Sequence, residues 1–234
     1  MHKIEIPPEI GARAMRARGR EHVVDAIDPA RTAHIIVDLQ NGFMAEGAPL
    51  EVPTAREIVP NVNRIAAALR AAGGFNVFLR FTVDPEERQP WTVFFDTYLG
   101  PRLSAIHRDA FTRGAPYWQL WPELDLRPGD LVIDRTRFSA FVPGTCALQE
   151  KLQSQRIDTL IVTGTLTNVC CEATARDAMQ RNYRVVFVTD GNAAKSDFEH
   201  NATLTNLAVV FADLRNAAET VALIEASRTH AAAE

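Results

Sequence analysis

The sequence lacks the features that would place it in a membrane, outside the cell or on nucleic acid. Its 234 residues include only three cysteines, two of them adjacent, so a disulfide framework is not expected. No window of about 18 apolar residues is present to span a bilayer, and no apolar signal-peptide core opens the chain. The formal charge is −4 and the basic residues form no long run, which argues against a nucleic-acid partner. We therefore expect a cytoplasmic protein with free thiols.

Several familiar site signatures are missing as well. The six histidines are scattered without the spacing of metal ligands, so no metal is expected. No Gly-x-Gly-x-x-Gly or Walker loop follows a strand, and no Gly-x-Ser-x-Gly elbow is present for serine catalysis. The sequence thus predicts no cofactor and leaves a small molecule as the expected binding partner.

What the sequence does contain is an alternation of short apolar runs and helical patterns. The runs predicted as strands are residues 33–39, 75–81, 131–134, 159–163, 184–189 and 208–212. The segments predicted as helices are residues 60–72, 102–111, 145–153, 168–181, 196–207 and 217–226. This order predicts an α/β fold with three layers, α/β/α, around a doubly wound, mostly parallel, six-stranded sheet of Rossmann-like form.

The alternation divides the chain into an arm and one domain. Residues 1–29 carry several arginines and are predicted to form an N-terminal arm that reaches a neighbouring subunit, with a solvated charged leader as the alternative. Residues 30–234 are predicted to form a single domain. Within it, residues 82–129 break the rhythm and contain all three tryptophans. Long irregular connections are usually functional or disordered, and the aromatic content argues against disorder.

Reactive side chains follow three of the predicted strands. Ligands bind beyond the carboxyl ends of parallel strands, where Asp38 and Arg135 lie and where Cys170 and Cys171 begin a helix. A helix N-terminus favours a thiolate and can hold an oxyanion. Asp38 is a candidate general base. Arg135 is a cation that would stabilise the thiolate and compensate the charge of the aspartate. The alternatives are buried core thiols, a capping carboxylate and a surface ion pair. The pattern alone does not choose between the two cysteines.

Taken together, these segments resemble the isochorismatase-like cysteine hydrolase family. The matching segments are 35–43, 135–141 and 164–178, and the tetrapeptide 190–193 follows in the expected place. The resemblance covers residues 30–225 and is nearest the branch of N-carbamoylsarcosine amidase and streptothricin hydrolase. It implies a homo-oligomer, either a dimer or a tetramer. Residues 42–60 contain no histidine, so the metal of the nicotinamidase branch is not expected.

The resemblance also implies a catalytic role for each strand-end residue. It makes Cys170 the nucleophile and Asp38 the acceptor of its proton. Arg135 stands where the family normally has lysine, a departure that keeps the charge but changes its shape. A cis peptide is implied between Thr165 and Leu166, with an oxyanion hole formed by the N–H groups of Leu166 and Cys170.

The predicted reaction is hydrolysis of a small amide, ureido or N-carbamoyl C–N bond through a thioester. The residues predicted to line the substrate pocket, each with plain packing as the alternative, are Gln40, Phe43, Trp91, Phe141 and Thr165. The arginine at position 135 motivates a second interpretation, a weakened family member that binds a metabolite without turnover. A third is a lactamase or esterase with the same triad.

Overall fold

A six-stranded parallel sheet forms the centre of the computed structural model, which describes residues 1–86 and 89–231. The strands are β1 (Thr32–Val37), β2 (Phe75–Phe81), β3 (Leu131–Arg135), β4 (Thr159–Thr165), β5 (Arg184–Ala193) and β6 (Asp213–Arg215). They lie in the order β3-β2-β1-β4-β5-β6, and each neighbouring pair is parallel. The predicted doubly wound fold is confirmed, with a sheet that is parallel throughout.

Helices cover both faces of this sheet. The α-helices of the described residues are α1 (Pro8–Arg18), α2 (Asn41–Met44), α3 (Thr54–Glu57), α4 (Val59–Ala71), α5 (Pro101–Phe111), α6 (Leu148–Ser154), α7 (Glu172–Gln180), α8 (Asp197–Leu207) and α9 (Ala217–Ala231). Short 3-10 turns lie at Pro29–Arg31 and Pro116–Trp118, and π-helical turns at Val93–Tyr98 and Thr167–Cys171. Within residues 1–86 and 89–231, no helix has the length and apolar character needed to cross a bilayer.

The side chains of β1 show how the layers pack. Ile35 and Val37 belong to the apolar cluster that β1 shares with α6, α7 and α8. Ile36 belongs to a different cluster, which includes Val62 of α4, and α9 packs with α4 in a third. Because successive side chains of a strand point to opposite faces, these clusters lie on opposite sides of the sheet. All six residues of β1 are buried, as expected for a strand that is covered on both faces.

The structure corrects the boundaries of several predicted elements, including the predicted helix 168–181, which is a π-helical turn at Thr167–Cys171 followed by α7. The last strand lies at 213–215 and not at 208–212, because the N–H groups of Phe211 and Ala212 bond to the carbonyl of Leu207 and complete the turn after α8. The first strand ends at Val37, since Asp38 adopts a left-handed conformation with φ of 51°. Helix α6 begins three residues later than the predicted start at 145.

Residues 1–29, predicted as an arm, pack along their own domain. Val24 and Ile27 are buried in the cluster of α4 and α9. Near the start of the chain, the N–H of Glu5 donates to Asn201 of α8 (2.7 Å), and His2 stacks on His200 with ring centroids 4.4 Å apart. The segment therefore contacts α8, and a contact with another subunit stays a prediction.

The irregular connection between β2 and β3 is built on aromatic contacts. The indole N–H of Trp118 donates to Thr82 (2.8 Å), and the guanidinium of Arg80 covers the ring at 3.7 Å. Farther along, Trp91 stacks on Phe94 with ring centroids 4.4 Å apart. The described part of this connection is therefore ordered by tryptophan packing, as its composition predicts.

Candidate active site

Neighbouring strand ends gather the predicted catalytic residues at one edge of the sheet. Val37 is in register with Leu79 of β2 and with Gly164 of β4, and Phe81 is in register with Arg135 of β3. The chain segments that carry Asp38, Arg135 and Cys170 therefore leave the sheet at the same edge. This is the edge at which parallel α/β sheets bind ligands.

Gly164 sets the spacing between β1 and β4 at this edge. Its φ is +127°, and a Cβ built there would lie 2.1 Å from the carbonyl oxygen of Val37. Only glycine tolerates both the conformation and the close approach. Because Asp38 comes directly after Val37, this glycine also sets how close to Asp38 the turn that carries Cys170 can lie.

Asp38 has one paired and one unpaired carboxylate oxygen. Its side chain is fully buried, and its Oδ2 accepts a hydrogen bond from Nη2 of Arg135. Oδ1 is buried too and has no hydrogen-bond partner among the described residues. The backbone is fixed by a bond from its N–H to the carbonyl of Leu79 (3.1 Å). Asp38 thus has one carboxylate oxygen, Oδ1, that accepts no hydrogen bond from the described residues and can accept one from another group.

Arg135 is a fully buried cation that spans two partners. Nη2 donates to Asp38, and Nη1 donates to the carbonyl of Arg137. The guanidinium lies 5.6 Å from the ring of Phe81, the last residue of β2. Arg135 therefore reaches past the end of β2 to meet β1. This position beside Asp38 is the one expected of a cation that compensates the carboxylate. The catalytic role of Arg135 itself stays a prediction.

Cys170 and Cys171 end the π-helical turn before α7 and differ in their surroundings. Cys170 is 5% exposed and Cys171 is fully buried. Burial raises the pKa of the Cys171 thiol well above its usual value, and the neighbouring Cys170 adds to the rise. Cys171 is thus a protonated core thiol at neutral pH. Both thiols pack in the apolar cluster that contains Val37, so the small exposure of Cys170 is what favours it as the reactive member of the pair.

The segment after β3 is hydrogen-bonded to α7 and to the residue that follows it. The N–H of Ala140 donates to Thr174 of α7 (3.3 Å), and Arg181 donates to the carbonyl of Phe141 (2.8 Å). Phe141 is 2% exposed, and its ring centroid lies 5.7 Å from that of Tyr183. The predicted pocket residue Phe141 therefore packs inside the domain, and a contact with substrate stays a prediction.

Three further predicted pocket residues make internal contacts. The amide of Gln40 donates to the carbonyls of Phe81 and Trp118 (3.0 and 2.8 Å) and accepts from the N–H of Phe81 (2.7 Å). Phe43 stacks on Phe111 with ring centroids 4.7 Å apart. Thr165 donates to the carbonyl of Ala193 (3.1 Å). Gln40 thus links the segment after Asp38 to the β2–β3 connection, and recognition of substrate by these side chains stays a prediction.

Trp91 and Phe141 are the predicted pocket residues that border described cavities. A cavity of about 90 Å³ lies between Trp91 and Thr136, the residue after Arg135. Two aromatic neighbours that the sequence analysis missed contact Trp91. Phe94 stacks on Trp91, and Phe138 meets it edge-on with ring centroids 4.7 Å apart. The position of Phe138 inside the segment 135–141 is the signal that points to it.

A larger cleft lies elsewhere. It measures about 570 Å³, separates α1 from the start of α9, and is bordered by Met15, His22 and Asn216. None of the three predicted catalytic side chains lines it. Across residues 1–86 and 89–231, no group of three His, Cys, Asp or Glu side chains is placed to hold a metal ion.

The turn between β4 and α7 also contains the backbone feature that the resemblance implies. The peptide between Thr165 and Leu166 is cis. After it, the carbonyl of Leu166 accepts hydrogen bonds from Val169 and Cys171 (3.1 and 3.2 Å). The cis peptide is confirmed at the expected position. An oxyanion hole formed by the N–H groups of Leu166 and Cys170 stays a prediction.

Comparisons with known proteins identify similar sequences and similar folds. A family model described as an isochorismatase domain matches residues 32–219. The ureidoacrylate amidohydrolase RutB of Pseudomonas savastanoi pv. phaseolicola is 29% identical over 221 residues, covering 89% of this chain and 88% of that protein. A cysteine hydrolase structure from Pseudomonas syringae pv. phaseolicola matches with a TM-score of 0.78 at 29% identity, covering 89% and 99% of the two chains. N-carbamoylsarcosine amidase from Thermoplasma acidophilum shares the fold, with a TM-score of 0.64 at 23% identity over 80% and 96%.

Proposed function

Because this chain belongs to the isochorismatase family of hydrolases, we propose that it cleaves a small amide-type C–N bond, with ureido and N-carbamoyl compounds as its substrate class. The amidohydrolase relative, which aligns with most of both chains, supports the choice of bond. The observation that carries the proposal is the buried Asp38–Arg135 pair with its unpaired carboxylate oxygen, at the edge where the π-helical turn of Cys170 precedes α7.

Cys170 is the nucleophile in this proposal. Its proton passes to the free oxygen of Asp38, while the other oxygen keeps its bond to Arg135. A fixed cation beside the carboxylate favours its ionised form, and arginine stays charged at any working pH. The acid is therefore ready to accept a proton, and the buried charge is compensated before the reaction begins.

The reaction proceeds in two stages. The thiolate of Cys170 attacks the carbonyl carbon, and the negative oxygen that forms is held by the N–H groups of Leu166 and Cys170. Protonated Asp38 gives its proton to the leaving nitrogen, so that the amine or ammonia departs and a thioester remains. Asp38 then takes a proton from water, which attacks the thioester and frees Cys170. Trp91, Phe94 and Phe138 form one wall around the substrate.

A panel of compounds tests the reaction class. It contains a ureido acid, N-carbamoyl amino acids, simple amides, a β-lactam and a carboxylic ester, with release of ammonia or acid as the measurement. We expect the wild type to turn over ureido or N-carbamoyl compounds and Cys170→Ser to lose this turnover. Preference for the β-lactam or ester would point to the lactamase or esterase alternative. Binding of a panel compound without turnover would point to the weakened family member that Arg135 motivates.

Intact-protein mass spectrometry tests the covalent step. A slow substrate is expected to add the mass of its acyl or carbamoyl group to the wild type and to Cys171→Ala, but not to Cys170→Ser. Cys171→Ala is the matched control because it removes the neighbouring thiol and leaves the nucleophile. Full activity of Cys170→Ser would overturn the proposal.

A further inference from the structure

Helix α8 makes two polar contacts with the chain on either side of Cys170. Nδ1 of His200 lies 3.0 Å from the hydroxyl of Thr167, which begins the turn of the cysteines. One turn farther along α8, the hydroxyl of Thr203 donates to Oε2 of Glu172 (2.6 Å), the first residue of α7. Residues three apart share a helix face, so one face of α8 holds both ends of the segment that carries the nucleophile. We call these two hydrogen bonds the α8 contacts.

The surroundings of His200 set the direction of its contact. Its Nε2 lies 3.0 Å from the carbonyl of Thr189, which can only accept, so Nε2 carries the proton. In a neutral imidazole the other nitrogen is then an acceptor, and the hydroxyl of Thr167 donates to Nδ1. Both His200 and Thr167 are fully buried. Water therefore cannot replace this bond if either partner is lost.

The N-terminal segment covers the outer face of this histidine. The ring of His2 stacks on that of His200 with an interplanar angle of 20°. Nε2 of His2 accepts from the N–H of Ala194 (2.9 Å), and Nδ1 donates to Asp197, the first residue of α8 (2.7 Å). The side chain of His2 is 4% exposed. Residues before the predicted domain thus contribute to the surroundings of the α8 contacts.

We propose that His200 and Thr203 are positioning residues that hold the Cys170 thiol in its reactive place, with His2 closing the site of His200 to water. The inference rests on the proposed function, in which Cys170 is the nucleophile. Neither side chain needs to touch the substrate. Each acts through Thr167 or Glu172, which fix the two ends of the turn, and a displacement of about 1 Å at a reacting group can reduce the rate about a hundredfold.

Substitutions at Thr167 separate the hydrogen bond from the packing. Thr167→Val keeps the shape and removes the hydroxyl, and Thr167→Ser keeps the hydroxyl. We expect kcat to fall about tenfold or more in Thr167→Val with KM within about threefold, and to stay within about threefold of wild type in Thr167→Ser. Thr159→Val is the matched control, since Thr159 is also buried and hydrogen-bonded but lies at the other end of β4.

Two substitutions at His200 test the same bond from the other side. His200→Gln retains a donor near the carbonyl of Thr189 but offers no acceptor at the Nδ1 position. His200→Asn places an oxygen near that position and can accept from Thr167. We therefore expect His200→Gln to resemble Thr167→Val and His200→Asn to recover most of kcat. A merely structural role would make the two variants equally defective.

The rate of Cys170 alkylation by iodoacetamide provides a readout that needs no substrate. Peptide mass spectrometry would follow it across pH for each variant, with thermal unfolding as the check on folding. We expect slower alkylation of Cys170 in Thr167→Val and His200→Gln, and unchanged alkylation in Thr159→Val. If Thr167→Val does not fold cooperatively, Thr203→Val removes the other α8 contact and is expected to lower kcat about threefold or more.

The outcomes distinguish this inference from the proposed function. Wild-type kcat and wild-type alkylation in folded Thr167→Val, His200→Gln and Thr203→Val would overturn the role of the α8 contacts and leave the nucleophile intact. Activity that survives in Cys170→Ser would instead overturn the proposed function. Alkylation of Cys170 would still show in that case whether the α8 contacts set its reactivity.

Discussion

Arg135 donates to the carboxylate of Asp38 across the end of β2, and both side chains are fully buried. Two opposite charges taken out of water stabilise the fold only when each has its partner. Under the proposed function, their pairing therefore links catalysis to stability at this edge of the sheet. A change on either side affects the proton acceptor and the free energy of unfolding together.

Removal of the cation is expected to destabilise the protein. Arg135→Met leaves Asp38 as an unpaired buried charge, which costs about 3–5 kcal/mol of unfolding free energy, and kcat falls with it. Urea denaturation measures the first effect. The double variant Asp38→Asn with Arg135→Met removes both charges and should be more stable than Arg135→Met alone. A double variant that is less stable would contradict the pairing.

Replacement by lysine separates the charge from the shape of the guanidinium. Arg135→Lys keeps a cation for Asp38 but loses the second bond, from Nη1 to the carbonyl of Arg137. One charge-assisted hydrogen bond is worth about 1.5 kcal/mol, so kcat/KM is expected to stay within about tenfold of wild type. Steady-state kinetics measure this, and a loss as large as that of Arg135→Met would show that the planar head is essential.

Thiol labelling is expected to distinguish the three cysteines. Burial raises the pKa of Cys146 and of Cys171, so both are protonated at neutral pH and react slowly. Iodoacetamide at pH 7 should therefore label Cys170 first in the folded protein, as read by peptide mass spectrometry. Cys170→Ser should lose the fast phase, and guanidinium chloride should remove the selectivity. Faster labelling of Cys146 would contradict the prediction.

A methyl group at Gly164 is expected to push β1 and β4 apart. The added Cβ would meet the backbone of Val37, and the φ of +127° is unfavourable for alanine. Gly164→Ala should therefore lose at least about 3 kcal/mol of unfolding free energy. Gly11→Ala is the matched control, because Gly11 lies in α1 with open space around it and should gain about 1 kcal/mol. Equal thermal unfolding of the two variants would contradict the close approach.

A buried histidine in β1 predicts acid sensitivity. Burial lowers the pKa of His34 to about 3, and its Nε2 bonds to the hydroxyl of Thr163 (2.8 Å). In the unfolded chain the pKa is about 6.5, so between these values only the unfolded state binds the proton. Stability is fully present above pH 6.5 and falls as the pH falls, by up to ~1.4 kcal/mol per unit.

Comparison of two pH values isolates this histidine. His34→Gln keeps a donor near Thr163 and removes the titration. The drop in unfolding free energy between pH 7 and pH 5 should be about 2 kcal/mol smaller in His34→Gln than in wild type. Urea denaturation at the two pH values measures it, and the carboxylates contribute alike to both proteins. An equal drop would show that His34 does not carry the effect.

Local sequence patterns predicted the sheet well, together with the residues that lie at the edge where its strands end. When an apolar strand ends in an acidic or basic residue, that residue lies at the edge of the parallel sheet. This position does not depend on how the helices pack. Asp38 and Arg135 therefore meet as the order of the strands requires. The choice of Cys170 came from the resemblance, and the full burial of Cys171 supports it.

The contacts that the sequence did not predict join residues far apart in the chain. Thr167 meets His200, 33 positions away, and His2 meets Asp197, 195 positions away. Periodicity places each residue on a helix or strand but contains no information about which two faces meet. The bonds from the amide of Gln40 to the backbone of Phe81 and Trp118 were not predicted for the same reason, and its contact with substrate stays a prediction.

Two members of the proposed aromatic wall, Trp91 and Phe94, lie outside the segments that carry the proposed reacting groups, whereas the third, Phe138, follows Arg135. Trp91 and Phe94 come from the connection between β2 and β3, whereas the acid and the thiol are held by strand ends. Selection can therefore alter this connection to accept a new molecule without rebuilding the reaction that follows. For laboratory evolution, residues 89–100 are the segment to randomise, since diversity there changes which compounds enter and leaves intact the chemistry they meet.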